Sequence, residues 1–419
     1  MNMTAWIASR LSIGAGSSRS ARTGAVIAVT GIAIALAVME FTLAVVGGFR
    51  DEIRHKVLGF DPEVSVMPPY NPEDATSEEY LTADSAIAGI IRQEVPHAVT
   101  ALAVSRPAVL KTDGDFSVLY FSAYDPTAHD YTFERSCVTH GEWPDFTNDS
   151  TRNHIVISEA TARALNLAVG DRPMLYFVDG RTAIRSRRVT VSALFASRME
   201  ERDRSTAYAS LPMLQAVSGI GSNQGTRLEL RGIGIDSAAA AADRLQSRLV
   251  AEWQQGAIAR LHPVDNIQRS GGMYLNWLDL LDTNVIVIFI LMLLVAASTL
   301  VAALFILVLE HISTIGILRT LGATRRMVRN IFITTAMRLV LRGIVIGNAV
   351  GIGLLMLQRQ LHLIPLDPEM YYLDHVPVSM HWMHMLALNL GVAVAAWLIL
   401  VIPSRIAAGV DPALTVRYE

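Results

Sequence analysis

Four long apolar segments divide the chain, at residues 24–46, 283–309, 331–358 and 385–402. Each is long enough to cross a bilayer, because a spanning helix needs roughly 20 apolar residues at a rise of about 1.5 Å each. The pattern predicts four transmembrane helices, over 24–47, 283–309, 331–358 and 385–403. The first segment is too long for the core of a signal peptide and lacks a small-residue cleavage site, so we interpret it as a retained anchor.

The short connections between these segments differ in charge. Arginines cluster before the first segment, between the second and third, and after the fourth, whereas the 359–384 connection is mainly acidic. Basic short loops stay on the cytosolic side, which places residues 1–23, 310–330 and 404–419 in the cytosol. The regions 48–282 and 359–384 then face the outer compartment. The arginines behind this assignment are Arg10, Arg19, Arg22, Arg319, Arg325, Arg326, Arg329, Arg405 and Arg417.

The long region 48–282 alternates short strand patterns with single helices, which is typical of an α+β or α/β domain. Strands are predicted over 99–111, 116–124 and 227–231, a helix over 77–94, and a hairpin from 173–178 and 185–195. Helical spacing of apolar residues at 49–60 extends the first membrane helix outward, with Gly59 as its stop. The mixed-charge stretch 198–204 is interpreted as a solvated loop. Cys137 is the only cysteine, so no internal disulfide forms.

Composition agrees with a membrane protein and argues against the common hydrolases. The chain is 52% hydrophobic with a mean hydropathy of +0.36. Its two lysines, Lys56 and Lys111, stand outside any phosphate-binding loop, and the zinc-hydrolase and serine-hydrolase motifs are absent. We expect no catalytic residue, cofactor, metal or nucleic-acid partner. A metal site at His375, His381 and His384 is conceivable, but solvated histidines at a membrane interface are the preferred interpretation.

Charged residues inside the apolar segments are the first candidates for function. Glu40 lies two-thirds of the way along the first segment, and a carboxylate in hydrocarbon is costly unless it is paired, wet or protonated. It is therefore either a functional intramembrane residue or a group that reaches water at the outer boundary, and both readings stay open. Arg338 and Arg342 begin the third segment, where extension toward the head groups is the simplest interpretation.

Glycines repeat every four residues in the third segment, at Gly343, Gly347 and Gly351. This spacing clears one face of a helix and lets a neighbouring helix approach closely. We expect it to be a helix-packing face, although glycine is also common in membrane helices generally.

The interhelical segment, residues 310–330, is the most informative part of the sequence. Apolar residues recur at helical spacing, Gly322 can end that short helix, and Thr324 can cap the next one. A plain basic turn would need no apolar stripe. The residues singled out are Glu310, Ile315, Gly316, Ile317, Leu318, Arg319, Gly322 and Ala323.

These residues resemble a known signature. The run Glu-x₄-Ile-Gly-Ile-Leu-Arg-Thr-Leu-Gly-Ala-Thr, from Glu310 to Thr324, is similar to the coupling helix of ABC transporter permeases of the FtsX/MacB type, and residues 402–419 resemble that family's C-terminal ending. Stretches at 48–60, 169–171 and 371–378 are similar to the lipoprotein-releasing (LolC/LolE-like) branch. The resemblance covers the whole chain.

The resemblance implies a fold and a function. The fold is four transmembrane α-helices with a large α+β periplasmic domain between helices 1 and 2, in a multi-pass protein of the bacterial inner membrane. The function is a permease subunit that pairs with a second permease chain and a cytosolic ATPase, which holds ATP and magnesium. Lipoproteins would enter from the outer leaflet of the inner membrane between the first and second helices of the two permeases and pass to a periplasmic carrier, with Glu310–Ala323 docked in the ATPase.

Two alternatives remain open from the sequence. The same fold could transmit force for efflux or for control of a cell-wall hydrolase. A membrane-anchored sensor without an ATPase is the second alternative.

Overall fold

A computed structural model describes residues 19–69, 80–178, 184–270, 272–367, 371 and 373–407. The predicted loop 71–77, the turn at 179–180 and the C-terminal ending at 408–419 lie outside these residues. The chain divides into two compact units. The helical unit comprises Met1–Asp51, Leu278–Pro365 and His375–Glu419, and the α+β domain comprises Glu52–Trp277 and Leu366–Asp374.

Four long helices carry the apolar segments: α1 (Arg19–Phe60), α9 (Gly272–Glu310), α11 (Arg325–Leu361) and α12 (Trp382–Ala407). Each is long and apolar enough to span a membrane, which confirms the predicted four-helix plan with the α+β domain between the first two. Apolar side chains from all four helices form one cluster, which includes Ile32, Leu304, Phe332, Val340 and Leu400. The short helix α10 (Ile312–Thr320) connects α9 to α11.

One mixed sheet is the centre of the α+β domain. Its strand order is β13-β1-β12-β3-β4-β10-β6-β9-β5, and β7 pairs with both β3 and β8. Only the pairs β4–β10 and β6–β9 are parallel among the described strands. The strands are β1 (Val64–Val66), β3 (Val99–Lys111), β4 (Phe116–Tyr124), β5 (Val138–Gly141), β6 (His154–Ser158), β7 (Met174–Val178), β8 (Ile184–Arg188), β9 (Thr190–Phe195), β10 (Thr206–Ala209), β12 (Arg227–Arg231) and β13 (Val264–Asn266).

Short helices cover this sheet, and a two-stranded ribbon of β2 (Leu81–Thr82) and β11 (Gln224–Gly225) lies beside it. Polar caps define where several helices begin, because a side-chain oxygen satisfies an N–H that has no partner within the helix. Asp84 caps α2, Ser158 caps α4 and Ser210 caps α6 in this way. The helices are α2 (Ser85–Glu94), α3 (Thr132–Ser136), α4 (Glu159–Leu165), α5 (Glu200–Ser205), α6 (Leu211–Ser218), α7 (Ile235–Gln254) and α8 (Ile267–Ser270).

Several local predictions are wrong, each because of a distant contact. Within the described part of the predicted helix 77–94, only α2 is helical, since residues 81–82 pair with β11 instead. The predicted hairpin partner 185–195 is two strands: β8 pairs with β7, while β9 pairs in parallel with β6. Gly59 does not stop α1, which continues to Phe60. The ring of Phe133 lies so close to Gly59 that a Cβ there would be 2.3 Å from it.

The mixed-charge stretch 198–204 is a short helix with a hydrogen-bonded turn before it, rather than a solvated loop. It forms α5, and its Asp203 is buried, accepting hydrogen bonds from the Ser197 and Arg198 backbone N–H groups and from Ser197 Oγ. Burial raises the pKa of the Asp203 carboxyl, and these hydrogen bonds oppose that shift. Charge alone suggested solvent exposure, but the carboxylate is satisfied by backbone donors.

Candidate functional site

The interhelical segment folds as a short helix with defined ends. Helix α9 ends at Glu310, α10 ends at Thr320, and Gly322 has a φ of +91°, a left-handed conformation that favours glycine. Its N–H donates to the Arg319 carbonyl at 3.1 Å. The Thr324 hydroxyl then accepts from the Met327 N–H at 3.3 Å and caps α11. Helix α10 is thus separated from α9 by His311 and from α11 by residues 321–324.

Two apolar side chains at the end of α10 are exposed among the residues that the structure describes. Ile317 is 61% exposed and Leu321, directly after the helix, is 79% exposed. Residues four apart lie on the same side of a helix, so these two form one exposed pair. Arg325 and Arg326 are exposed nearby in the sequence. Exposed apolar side chains beside arginines are typical of a surface that binds another protein.

The remaining singled-out residues of the segment have other positions. Gly316 is buried, and Ala323 is partly buried against the apolar cluster of the four helices. Glu310 and Arg319 are half-buried and each has an electrostatic or polar partner. The side chains of Ile315 and Leu318 lie outside the part of the chain that the structure describes. Of the sequence-predicted set, Ile317 is therefore the side chain placed on the open surface.

The glycine repeat of α11 lies against α1. A Cβ at Gly343 would be 2.8 Å from Ile32, and one at Gly347 would be 2.9 Å from the Ala33 carbonyl oxygen. A Cβ at Gly351 would be 2.3 Å from an oxygen of Glu40. Real Cβ atoms do not approach this closely, so the backbones of α1 and α11 pack together only because these three side chains are absent.

The side chain of Glu40 in α1 is 0% exposed. Its carboxyl group is next to Asn389 of α12, although neither oxygen makes a hydrogen bond of good geometry to the described residues. Asn389 and Asn348 of α11 exchange two hydrogen bonds, at 2.7 and 3.0 Å. This favours an intramembrane residue over the alternative in which Glu40 reaches water. The two asparagines were missed, although polar residues within apolar segments were the signal.

An open apolar cleft of about 630 Å³ lies between α1 and α11. Helix α1 contributes Ile34, Val38 and Phe41, and α11 contributes Val350 and Leu354. The cleft has few polar groups, and it suits an apolar occupant such as a hydrocarbon chain.

The histidines of the last connection do not form one cluster. His381 Nε2 contacts Asp51 Oδ2 at 3.0 Å and Ser379 Oγ at 2.9 Å, while His375 packs its ring against His362. The described residues contain no group of three side chains suited to a metal ion. Serine and aspartate contact the same ring nitrogen, whereas a hydrolytic triad uses both nitrogens, so this arrangement is an exposed polar contact between α1 and the residues that precede α12.

Comparison with known proteins places the chain among permeases. Residues 25–248, more than half of the chain, match the model of the MacB-like periplasmic core domain, and residues 286–412 match the FtsX-like permease C-terminal model. The first model covers most of α1 and of the α+β domain, and the second covers most of α9 and all of α10, α11 and α12.

Similar proteins extend over almost the whole length. The lipoprotein-releasing system transmembrane protein LolE of Haemophilus influenzae is 22% identical, covering 91% of both chains, and LolC of Neisseria meningitidis is 25% identical, covering 94% of both. The periplasmic region of MacB from Actinobacillus actinomycetemcomitans superposes with a TM-score of 0.35 at 11% identity, covering 54% of this chain and 98% of that one.

Proposed function

Because the chain belongs to the family of ABC permeases with a MacB-like periplasmic core domain and an FtsX-like C-terminal region, we propose that it is a lipoprotein-releasing subunit. It extracts lipoproteins from the outer leaflet of the inner membrane and passes them to a periplasmic carrier. A separate cytosolic ATPase supplies the energy, and a second permease chain completes the transporter.

The observation that carries this proposal is the full-length similarity to lipoprotein-releasing permeases. The relatives named LolC and LolE match over more than 90% of both chains, including the α+β domain and the helical unit together. A protein that shared only the membrane anchor or only the periplasmic fold with them would not match in this way.

The surface of α10 supports a driving partner on the cytosolic side. The exposed pair Ile317 and Leu321 is a small apolar patch, and burying it against a protein would stabilise the contact by roughly 25 cal/mol per Å² of apolar surface removed from water. Arg325 and Arg326 add positive charge at its edge. The arginine distribution supports a cytosolic position for this segment, where the patch would bind a cleft on an ATPase subunit.

The cleft between α1 and α11 supports a cargo that carries hydrocarbon chains. It is lined by apolar side chains of two membrane helices, so an acyl chain that enters it exchanges one apolar environment for another. The transport step then removes the polypeptide and its lipid together.

Depletion of the protein followed by membrane fractionation tests this function. We expect outer-membrane lipoproteins to accumulate in the inner membrane, and expression of the wild-type chain to restore their sorting. Expression of Ile317→Asp should not restore it, whereas Asn330→Asp, an exposed control in the same segment, should. Correct lipoprotein sorting after depletion would contradict the proposal and favour efflux or cell-wall control as the role of this fold.

A further inference from the structure

The last two turns of α1 belong to the α+β domain rather than to the helical unit. Residues from Glu52 onward form part of that domain, and the side chains of Ile53, Val57 and Phe60 are almost fully buried there. Their spacing places them on one face of the helix. The end of a membrane helix is thus a component of the hydrophobic core of the α+β domain.

Arg231 of β12 binds the open end of this helix. Its Nη1 donates to the Leu58 carbonyl at 2.9 Å and reaches the Gly59 carbonyl at 3.5 Å, while its Nη2 donates to the Phe60 carbonyl at 3.1 Å. The last carbonyls of a helix have no partner within it, and they form the negative end of the helix dipole. One planar, charged guanidinium therefore satisfies three acceptors at once.

Glu229 fixes Arg231 from the side of the sheet. Its carboxylate is 0% exposed and lies between two arginines of the same strand. Oε2 accepts from Arg231 Nε at 3.3 Å and from Nη2 at 3.2 Å, and Oε1 accepts from Arg227 Nε at 2.7 Å. A buried carboxylate is stable only with such partners. Arg227 shares this carboxylate but makes no described contact with the helix carbonyls.

A second arginine holds the same helix end from the opposite element. Arg202 of α5 forms an ion pair with Asp61, the residue after α1, and its guanidinium lies 4.7 Å from the centre of the Phe60 ring. The end of α1 therefore contacts charged groups of both β12 and α5. Its apolar face is buried as well.

We propose that Arg231, oriented by Glu229, is the positioning residue that makes the end of α1 and the sheet of the α+β domain move as one body. Helix α1 is continuous from Arg19 to Phe60, a length of roughly 60 Å. We call the contact between Arg231 and the end of α1 the joint. Because the joint is rigid in this proposal, movement of α1 in the membrane displaces the α+β domain by the same amount. The inference rests on the proposed function, because it assigns the joint through which ATP-driven movement reaches the cargo-handling domain.

A matched pair of variants tests this assignment in the assembled transporter in nanodiscs. Arg231→Gln removes the contacts to the helix carbonyls, whereas Arg227→Gln removes an arginine from the same carboxylate and leaves those contacts. Three quantities are measured: ATP hydrolysis, lipoprotein release, and the ATP-dependent change in distance between spin labels at Asp113→Cys and Leu361→Cys in a Cys137→Ser background. We expect Arg231→Gln to hydrolyse ATP at the wild-type rate, with the distance change lost and release reduced by about tenfold or more. Arg227→Gln should retain all three.

Equal losses in the two variants, or an Arg231→Gln transporter with an unchanged distance response, would overturn the proposal. If Arg231→Gln does not fold, Arg231→Lys keeps the charge next to Glu229 but lacks the guanidinium fork, and a wild-type distance response in it would overturn the proposal as well. A wild-type transporter that shows the distance change but releases no lipoprotein would contradict the proposed function alone, because the distance readout still tests the joint.

Discussion

Helix α1 is held by opposite means along its length. Between Val29 and Glu40 it packs against the glycine face of α11, where contact depends on side chains that are absent. Between Ile53 and Asp61 it is held by large buried side chains and by arginines that cap its end. In hydrocarbon there is no hydrophobic gain from bringing helices together, so close backbone approach has to supply the attraction. In the α+β domain, burial from water and charged hydrogen bonds do so.

Helix α1 contributes to both compact units of the chain, and it does so through two different kinds of contact. The glycine contact is formed by close approach of the backbones of α1 and α11. We expect it to permit small relative movements of the two helices. The hydrogen bonds from Arg231 to the carbonyls at the end of α1 have fixed directions, so this contact permits little movement. The proposed role of Arg231 therefore predicts that the end of α1 moves together with the sheet to which it is bound.

A larger side chain in the glycine face of α11 should disrupt the packing of α1 on α11, and we expect this change to lower stability the most. Gly347→Leu places a side chain where a Cβ already lies 2.9 Å from the Ala33 carbonyl oxygen, and we expect a loss of stability of about 3 kcal/mol or more. Gly353→Leu is the matched control on the same helix, because no atom lies within 4 Å of its Cβ. Thermal loss of the monodisperse protein in detergent measures both, and equal melting temperatures would refute the close contact.

A side chain at Gly59 should disrupt the packing of the end of α1 in the α+β domain, with a smaller loss of stability. A Cβ at this position would be 2.3 Å from the Phe133 ring, so Gly59→Ala should destabilise the α+β domain by about 1–2 kcal/mol despite the better helix propensity of alanine. Adding Phe133→Leu should recover part of the loss. Gly89→Ala in α2, where nothing lies within 4 Å, should instead stabilise by about 0.5–1 kcal/mol. Denaturant unfolding followed by tryptophan fluorescence distinguishes these outcomes.

The stability of the α+β domain should depend on pH in the alkaline range, because the domain has buried tyrosines in its core. Burial raises the pKa of Tyr124 to about 12 from its usual value near 10. A group whose pKa is higher in the folded state contributes stability below pH 10, and this contribution is lost as the pH rises through 12. Stability of this domain should therefore fall with a slope of ~1.4 kcal/mol per pH unit from this group. Tyr124→Phe should remove that part of the slope in unfolding experiments between pH 9 and 12, and an unchanged slope would show that another group is responsible.

Local pattern predicted most of the fold. The four membrane helices are visible as apolar segments, and the strands 99–111, 116–124 and 227–231 have the predicted bounds because their alternation is strong. The failures share a physical cause. Residues 81–82, α5 and the break between β8 and β9 are decided by partners far away in the sequence, which no local window contains.

The candidate sites divide in the same way. The sequence indicated the glycine face, Glu40 and the interhelical segment, since each breaks a local pattern. It could not indicate which side of α10 is open, because helical periodicity does not say what covers each face. Arg231 gave no signal either, since an arginine on a strand becomes a helix cap only when the fold brings the end of α1 to it.

The interhelical segment is, in our proposal, the place where an ATPase drives this chain. The direct measurement is the amount of ATPase subunit that co-purifies from native membranes with Ile317→Asp, compared with wild type and Asn330→Asp. Because one central apolar contact can supply much of the energy of an interface, we expect a loss of about tenfold or more in Ile317→Asp alone, with the chain still folded. Wild-type recovery of the ATPase with Ile317→Asp would contradict the claim.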